Sequence, residues 1–308
     1  MTMKKISIYI AIILISTAHA VLACNVCGSA SGASYNGILP QYRKNILALR
    51  HRYRSFDQYE LQNDNTKLKS SYQYQSVDLW GRIYLKKRVQ FFFTVPYTVN
   101  TLASEQSETS TLKGIGDITL QVNYNLVNTS LDTSSTHTIQ HNVLIGGGVK
   151  LPTGKYQQRN RDDLMFAPNF QAGTGAYSYT TSLIYTLRYR KVGFNADVNY
   201  IYNEANELAY AFGNQFTSSL TLFAWLKKGS TTFLPNTGVF YERMDRDINN
   251  GYYNKLSGGY ALNYNAGMDV YFKKIFVGAT FQTPLLQQIG SDDVVYKLRY
   301  MLNVGFMF

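Results

Sequence analysis

The most constraining stretch of this 308-residue chain is its end, residues 294–308, which read VVYKLRYMLNVGFMF. From Tyr296 onward, every second residue is apolar or aromatic. Side chains of a β-strand alternate between two faces, so this periodicity predicts a strand with one continuous apolar face. That face comprises Tyr296, Leu298, Tyr300, Leu302, Val304, Phe306 and Phe308.

Similar alternation recurs along the chain in about twelve segments, separated in turn by long and short connections. An even strand number with short turns at one end and long loops at the other is typical of barrels of Gram-negative outer membranes. A soluble β-sandwich, the alternative interpretation, has no reason to sort its connections this way. We therefore predict an all-β fold, a transmembrane antiparallel up-and-down β-barrel of about 12 strands over residues 45–308, in the cell outer membrane.

The chain begins with a secretory signal. Lys4 and Lys5 precede an apolar run over residues 6–18, which is too short to span a membrane as a helix. Ala18-His19-Ala20 has the pattern of a cleavage site, which predicts a cleaved signal peptide over residues 1–23. The exported chain would meet outer-membrane lipid and the barrel assembly machinery, with Phe308 as the terminal assembly signal.

Both cysteines follow the leader, in Cys24-Asn25-Val26-Cys27. Residues 24–44 are predicted to form a periplasmic N-terminal tail. The pair is interpreted as a disulfide. Lipidation of Cys24 is an alternative because small residues precede it. A metal half-site is another, although the histidines are distant in sequence, and we predict no metal site and no cofactor.

Loop lengths predict the topology. Short basic turns at residues 86–88, 190–191, 227–228 and 273–274 would face the periplasm, and polar segments 57–71, 104–111 and 245–255 would lie outside.

The polar face of the strands is predicted to line the lumen. Closure would place Arg50, Arg52 and Arg54 near Lys297 and Arg299, where like charges need carboxylates or an anionic solute. Alternatively, Asp78 and Asp269 neutralise them in a packed network. The full predicted solute path is Arg50, Arg52, Arg54, Asp78, Arg82, Asp117, Lys150, Arg188, Asp197, Glu242, Asp269, Lys297 and Arg299.

Three stretches carry a family resemblance: GIGDI at 114–118, GGVKLPTGK at 147–155 and QAGTG at 171–175. In this order and spacing they resemble the outer-membrane barrel family named for the meta-pathway of phenol degradation, often labelled transporter. The resemblance covers residues 79–308 and implies a barrel that passes small molecules, including aromatic ones. The tail with Cys24 and Cys27 departs from the usual start of that family.

These observations predict a porin-like channel or transporter for passive passage of a small-molecule solute, anionic or aromatic. The alternatives are a structural or assembly barrel with a plugged lumen and an enzyme of the phospholipase type. The enzyme would need a base, for which His141 is the only plausible candidate, beside Asn142. We predict no catalytic residues. Nucleic acid is excluded as a partner because the basic residues lie in turns and on the lumen face, despite the net charge of +11.

Overall fold

A computed structural model describes residues 44–61, 67–105, 107–129, 138–160, 163–290 and 294–308. The predicted signal peptide, Cys24 and Cys27 lie outside these ranges. Within them, no helix is long and apolar enough to cross a membrane.

The described chain forms one closed antiparallel sheet of 12 barrel strands, which confirms the predicted fold. Each barrel strand is called a stave here, because two of them consist of two separate strand segments. β4 and β5 together make one stave, as do β10 and β11, while β9, β13 and β14 form a small separate sheet. The strands are β1 (Ile46–Leu61), β2 (Lys67–Tyr84), β3 (Val89–Ser104), β4 (Ser107–Ile115), β5 (Ile118–Asn128), β6 (Ile139–Leu151), β7 (Ser178–Tyr189), β8 (Val192–Asn203), β9 (Tyr210–Ala211), β10 (Gln215–Ala224), β11 (Leu226–Lys228), β12 (Thr231–Met244), β13 (Ile248–Asn249), β14 (Tyr252–Tyr253), β15 (Gly259–Phe272), β16 (Ile275–Ile289) and β17 (Val294–Met307).

The last strand closes the barrel on the first. β17 pairs with β1 in the register Ile46 to Met307, and β1 pairs on its other side with β2. The backbone N–H groups of Asn45 and Phe308 each donate to the other residue's carbonyl at 3.0 Å. Closure pairs the first strand with the last, so neither presents a free edge along this register to the bilayer, where unpaired backbone groups are costly.

The short turns and the long loops lie at opposite ends of the barrel. Tight turns at residues 190–191, 229–230 and 273–274 share the end that holds Asn45 and Phe308, called the terminal end here. The opposite, loop end carries the long connections 152–177, 204–214 and 245–258.

The outer surface is apolar between two belts of exposed aromatic side chains, as a lipid-facing surface requires. The belt at the terminal end comprises Tyr124, Tyr189, Phe272, Phe306 and Phe308. The belt nearer the loop end comprises Tyr179, Tyr200, Tyr202, Tyr260 and Tyr264.

Two of the expected loops are largely strand. β1 continues to Leu61 and β2 begins at Lys67, so most of the segment 57–71 is a hairpin stem. β3 ends at Ser104 and β4 begins at Ser107, so most of the expected outside segment 104–111 is also strand. Both faces of a strand beyond the bilayer meet water, so these extensions lack the alternation that marks the membrane part.

A β-bulge reverses two predicted orientations. The register between β1 and β17 shifts between Arg54, paired with Arg299, and Phe56, paired with Tyr296. Tyr296 is therefore buried inside the barrel against Phe56, although its sequence position predicts the lipid face. The prediction that Lys297 lines the lumen is wrong, because the extra residue of the bulge turns it outward, where it remains 48% exposed and bonds Asp57 at 2.6 Å.

Candidate solute pathway

An arginine cluster forms one wall of the lumen. Arg50 and Arg52 lie on β1, two residues apart, so their side chains share the inner face. Arg50 Nε donates to Asp78 Oδ2 at 2.9 Å, and Arg52 Nη2 donates to Asp78 Oδ1 at 3.0 Å. Asp78 is fully buried on the neighbouring strand β2, directly opposite Arg50. One carboxylate therefore serves two guanidinium groups, and this cluster keeps a positive excess.

A second ion pair crosses the lumen. Arg299 on β17 donates through Nη2 to Glu242 Oε1 at 2.6 Å, although β12, which carries Glu242, is three staves away. Arg299 is paired in register with Arg54 on β1 where the barrel closes, whereas Lys297, expected beside them, faces outward. The predicted neutralising acid Asp269 is not one of these partners: it faces Gly278 on β16.

The opposite wall carries neutral polar groups and a different acid. Asp197 on β8 accepts hydrogen bonds from the hydroxyl of Ser219 and from Asn199 Nδ2, the latter at 3.1 Å. Gln121 Nε2 donates to Ser182 Oγ at 2.7 Å between β5 and β7. The described lumen therefore has an arginine-rich wall on β1 and β17, and the wall on β5 to β10 carries mainly neutral polar groups with Asp197 among them.

Between these walls lie buried amides without a protein partner. Asn263 and Asn265 on β15 are fully buried, and neither side chain has a hydrogen-bond partner among the described residues. The side-chain oxygen of Asn236 on β12 is likewise unpaired within the described part of the chain. Buried amides require partners, so this section of the lumen is suited to water or a polar solute.

The terminal end of the lumen is apolar. Arg188 borders this apolar region, and its guanidinium group stacks on Trp225, with 4.5 Å between the guanidinium carbon and the ring centroid. Arg82 is buried at the same end and donates to the carbonyl of Lys44 at 3.2 Å. The apolar cluster comprises Ile46, Ala48, Phe223, Leu234, Tyr271, Phe276 and Met307.

At the loop end, the connection between β6 and β7 folds into the barrel. A 3-10 turn, Pro168–Phe170, places the ring of Phe170 in a buried cluster with Tyr74 and Phe56. Asn100 Nδ2, on the inner face of β3, donates to the carbonyl of Phe170 at 2.8 Å. We call residues 152–177 the in-folded loop. It narrows the lumen from the loop end.

Asp117 holds the in-folded loop at two points. Its Oδ1 accepts from the backbone N–H of Gly154 at 3.0 Å, and its Oδ2 accepts from Thr174 N and Oγ1 at 2.8 and 2.6 Å. Lys150 Nζ lies 3.9 Å from Asp117 and has no hydrogen-bond partner in the described ranges. We call Asp117, Gly154 and Thr174 the clasp.

Glycines of the three family stretches make the clasp possible. A Cβ on Gly154 would lie 2.7 Å from Gly173 Cα and 3.0 Å from Gly116 Cα, so the three backbones pack directly on one another. Sequence inspection finds each stretch but not their meeting, because they are separated by the β5–β6 hairpin and the in-folded loop.

Above the in-folded loop lies a cavity of about 890 Å³ that opens at the loop end. We call it the vestibule. Its floor is the in-folded loop, and its sides come from loops 204–214 and 245–258. It is lined by Tyr156, Met165, Phe166, Ala167, Pro168, Gln171, Gly173, Thr174, Asn206, Leu208, Tyr210, Phe212, Asn249, Asn250, Tyr252, Tyr253, Asn254 and Leu256. The sequence does not predict this cavity, because its lining residues come from separate loops.

A buried carboxylate organises the vestibule walls. Asp247 accepts from Tyr210 Oη at 2.5 Å, from Gly213 N at 2.8 Å and from Asn169 Nδ2 at 3.3 Å. Burial raises the pKa of Asp247, and these hydrogen bonds oppose that rise. Three loops are joined at this one group.

Phe308 and His141 lie outside the lumen and the vestibule. Phe308 is 56% exposed in the outer aromatic belt and stacks on Phe306. His141 lies near the terminal end of β6, where its Nδ1 is 2.8 Å from Tyr185 Oη. That position is at the end of the barrel opposite the long loops.

The closed apolar-belted barrel and its charged interior define an outer-membrane β-barrel protein. A family model described as putative MetA-pathway of phenol degradation matches residues 67–222, just over half of the chain. The chain belongs to this family, which confirms the resemblance drawn from its motifs.

Comparison with curated protein sequences finds no match. Among solved structures, an outer membrane channel from Pseudomonas putida F1 is similar with a TM-score of 0.67 and 14% identity, over 90% of this chain and 99% of that one. The β domain of the Bordetella autotransporter BrkA is similar with a TM-score of 0.50 and 10% identity, over 85% and 99%. At these identities the likeness concerns the fold.

Proposed function

We propose that the protein is an outer-membrane channel through which small solutes pass by diffusion. The observation that carries the proposal is the polar middle of the lumen, where the side chains of Asn263 and Asn265 are buried without a hydrogen-bond partner among the described residues. A lumen that served only to hold a barrel together would gain stability by pairing or replacing such groups. Unpaired amides favour a section that exchanges water and solute.

The charge of the path favours anions. Seven of the predicted basic residues remain on the inner face once Lys297 is removed from the set, against five acids. A positive excess raises the local concentration of anions within a Debye length, about 8 Å at physiological salt. We therefore propose small anionic solutes as the preferred class, and membership of the family supports aromatic ones among them.

A structural barrel with a plugged lumen is the second candidate. It is favoured by the in-folded loop, which buries Phe170 at the loop end, and by the apolar cluster around Leu234 at the terminal end. Under this alternative the clasp would be a permanent support of the barrel.

Conductance distinguishes the two. Refolded protein in a planar bilayer should give discrete single-channel steps, with folding verified by heat-modifiable gel migration. Folded protein that inserts and shows no steps over repeated recordings would support the plugged barrel and reject the channel.

A further inference from the structure

We propose that the vestibule is a binding site for uncharged, hydroxyl-bearing six-membered rings, the chemistry shared by neutral sugars and neutral phenols. The vestibule opens on the side of the barrel away from the chain termini. Its volume of about 890 Å³ falls within the range of about 300–1,000 Å³ typical of small-molecule sites. Binding there does not require the lumen to conduct, so the inference stands apart from the channel proposal.

Charge decides against an ionised ligand. None of the described lining residues carries a formal charge. Two acids that contact lining residues are engaged: Glu207 accepts from Tyr156 Oη at 2.9 Å, and Asp247 accepts from Tyr210 Oη at 2.5 Å. An anion in the vestibule would lose water without gaining a cationic partner among the lining residues, which is costly.

Flat aromatic faces supply the apolar contact. Tyr252 and Tyr253 are 80% and 69% exposed, far more than the tyrosines of the lipid-facing belts. Phe166, which is half-buried, also lines the cavity from the in-folded loop. Rigid aromatic side chains bury large area at low entropic cost, and a ring-shaped ligand can stack on them.

Amides beside these rings match hydroxyl groups. Asn249, Asn250 and Asn254 line the vestibule from the same loop as Tyr252. Within this loop, Asn250 Nδ2 donates to Asn249 Oδ1 and Asn254 Oδ1 accepts from Leu256 N, both at 3.0 Å. A ligand hydroxyl can accept from the Nδ2 groups of Asn249 and Asn254, and it can donate to the second lone pair of their oxygens. A purely apolar ring would offer these groups no hydrogen bond.

The site is pre-formed. Asn250 and Gly251 both have positive φ, 50° and 83°, between the paired residues Asn249 and Tyr252, which is the geometry of a tight hairpin turn. Asn206 Oδ1 accepts from the backbone of Leu208 and Tyr210, which fixes the neighbouring loop. Ordered walls lower the entropic cost of binding.

The inference is tested by calorimetric titration of refolded protein in a zwitterionic detergent at pH 7, because maltoside detergents carry a competing sugar. The probes are maltose, phenol, and benzoate as a ring that is ionised at this pH. We expect maltose, phenol or both to bind, and benzoate to bind at least about tenfold more weakly. Binding of maltose alone identifies a sugar site, and binding of phenol alone identifies a phenol site.

Variants locate the binding. The double variant Y252A/Y253A should weaken the bound probe by roughly tenfold, which corresponds to about 1.4 kcal/mol for two stacked rings. Y177A is the matched control, since Tyr177 is exposed at the same end and does not line the vestibule. N249K introduces a cation into the lining and should increase benzoate binding.

Three results would overturn the inference. Benzoate could bind as tightly as the neutral probes, or neither neutral probe could bind. The third is that Y252A/Y253A binds the probe as tightly as the parent protein. Conductance recorded on the same preparations separates this result from the channel proposal. Protein that conducts but binds no neutral probe rejects the vestibule site alone. Protein that binds but does not conduct rejects the channel alone.

Discussion

Thr174 Oγ1 donates a 2.6 Å hydrogen bond to Asp117 Oδ2, and this bond ties the in-folded loop to the barrel wall. Both residues belong to the stretches that carry the family resemblance. The clasp gives those stretches a physical role: they hold Phe170 in the lumen.

Replacing Asp117 with Asn should loosen this loop. One carboxylate oxygen becomes an amide donor that faces a backbone N–H, and Lys150 loses its nearest acid. Hydrogen bonds to charged groups contribute about 1.5–3 kcal/mol, so we expect a loss of about 2 kcal/mol in unfolding free energy. Urea unfolding followed by tryptophan fluorescence measures it, and single-channel conductance should rise.

D163N is the control for that variant, because Asp163 lies in the same loop with its side chain 86% exposed. Equal stability and conductance of D117N and D163N would show that the clasp does not position the loop.

The packed glycines make a second prediction. Gly154→Ala would push a methyl group into the backbones of Gly173 and Gly116, which cannot move independently, and should lower the yield of folded barrel or its stability by about 2 kcal/mol or more. Gly147→Ala is the matched control, since its added Cβ would meet only Thr180 O at 3.8 Å. Heat-modifiable migration and urea unfolding report both; similar behaviour of the two variants would contradict close packing at the clasp.

The terminal aromatic residue should matter for assembly. Deletion of Phe308 removes an exposed ring of the outer belt and the backbone pair with Asn45 that closes the barrel. We expect less folded protein in outer-membrane fractions than with the parent chain. Unchanged abundance of the heat-modifiable form would argue against a terminal assembly signal.

Orientation can be tested on intact cells. If the loop end faces outside, a cysteine at Asn249 should react with an impermeant maleimide, and one at Lys228, at the end of β11 beside the turn 229–230, should react only after lysis. The two positions serve as controls for each other. Labelling of the Lys228 position on intact cells would mean that the barrel has the opposite orientation.

The sequence predicts the lipid-facing alternation well because burial in lipid imposes period two on every stave. The predicted meeting of Arg54 and Arg299 follows from closure alone.

Other features could not be predicted because they depend on non-local packing. The bulge that turns Lys297 outward leaves the apolar period of the last strand almost intact, so the pattern hides it. The in-folded loop has a polar, charged sequence, and its burial of Phe170 depends on Asn100, which lies 70 residues away. Glu242 pairs with Arg299 across the lumen, which no strand-neighbour argument anticipates.

Reversal potential in a salt gradient tests the central claim, that the charged lumen is the solute path. The parent channel should be anion-selective, and R50Q/R52Q/R299Q should shift the potential toward cations. That variant also leaves the carboxylates of Asp78 and Glu242 without their arginine partners. The single variant Arg54→Gln should therefore be measured as well, and we expect a smaller shift of the reversal potential in the same direction. The double variant E242Q/R299Q leaves the net charge unchanged and should change the reversal potential little. A cation-selective parent, or folded arginine variants with the parent's reversal potential, would contradict the account.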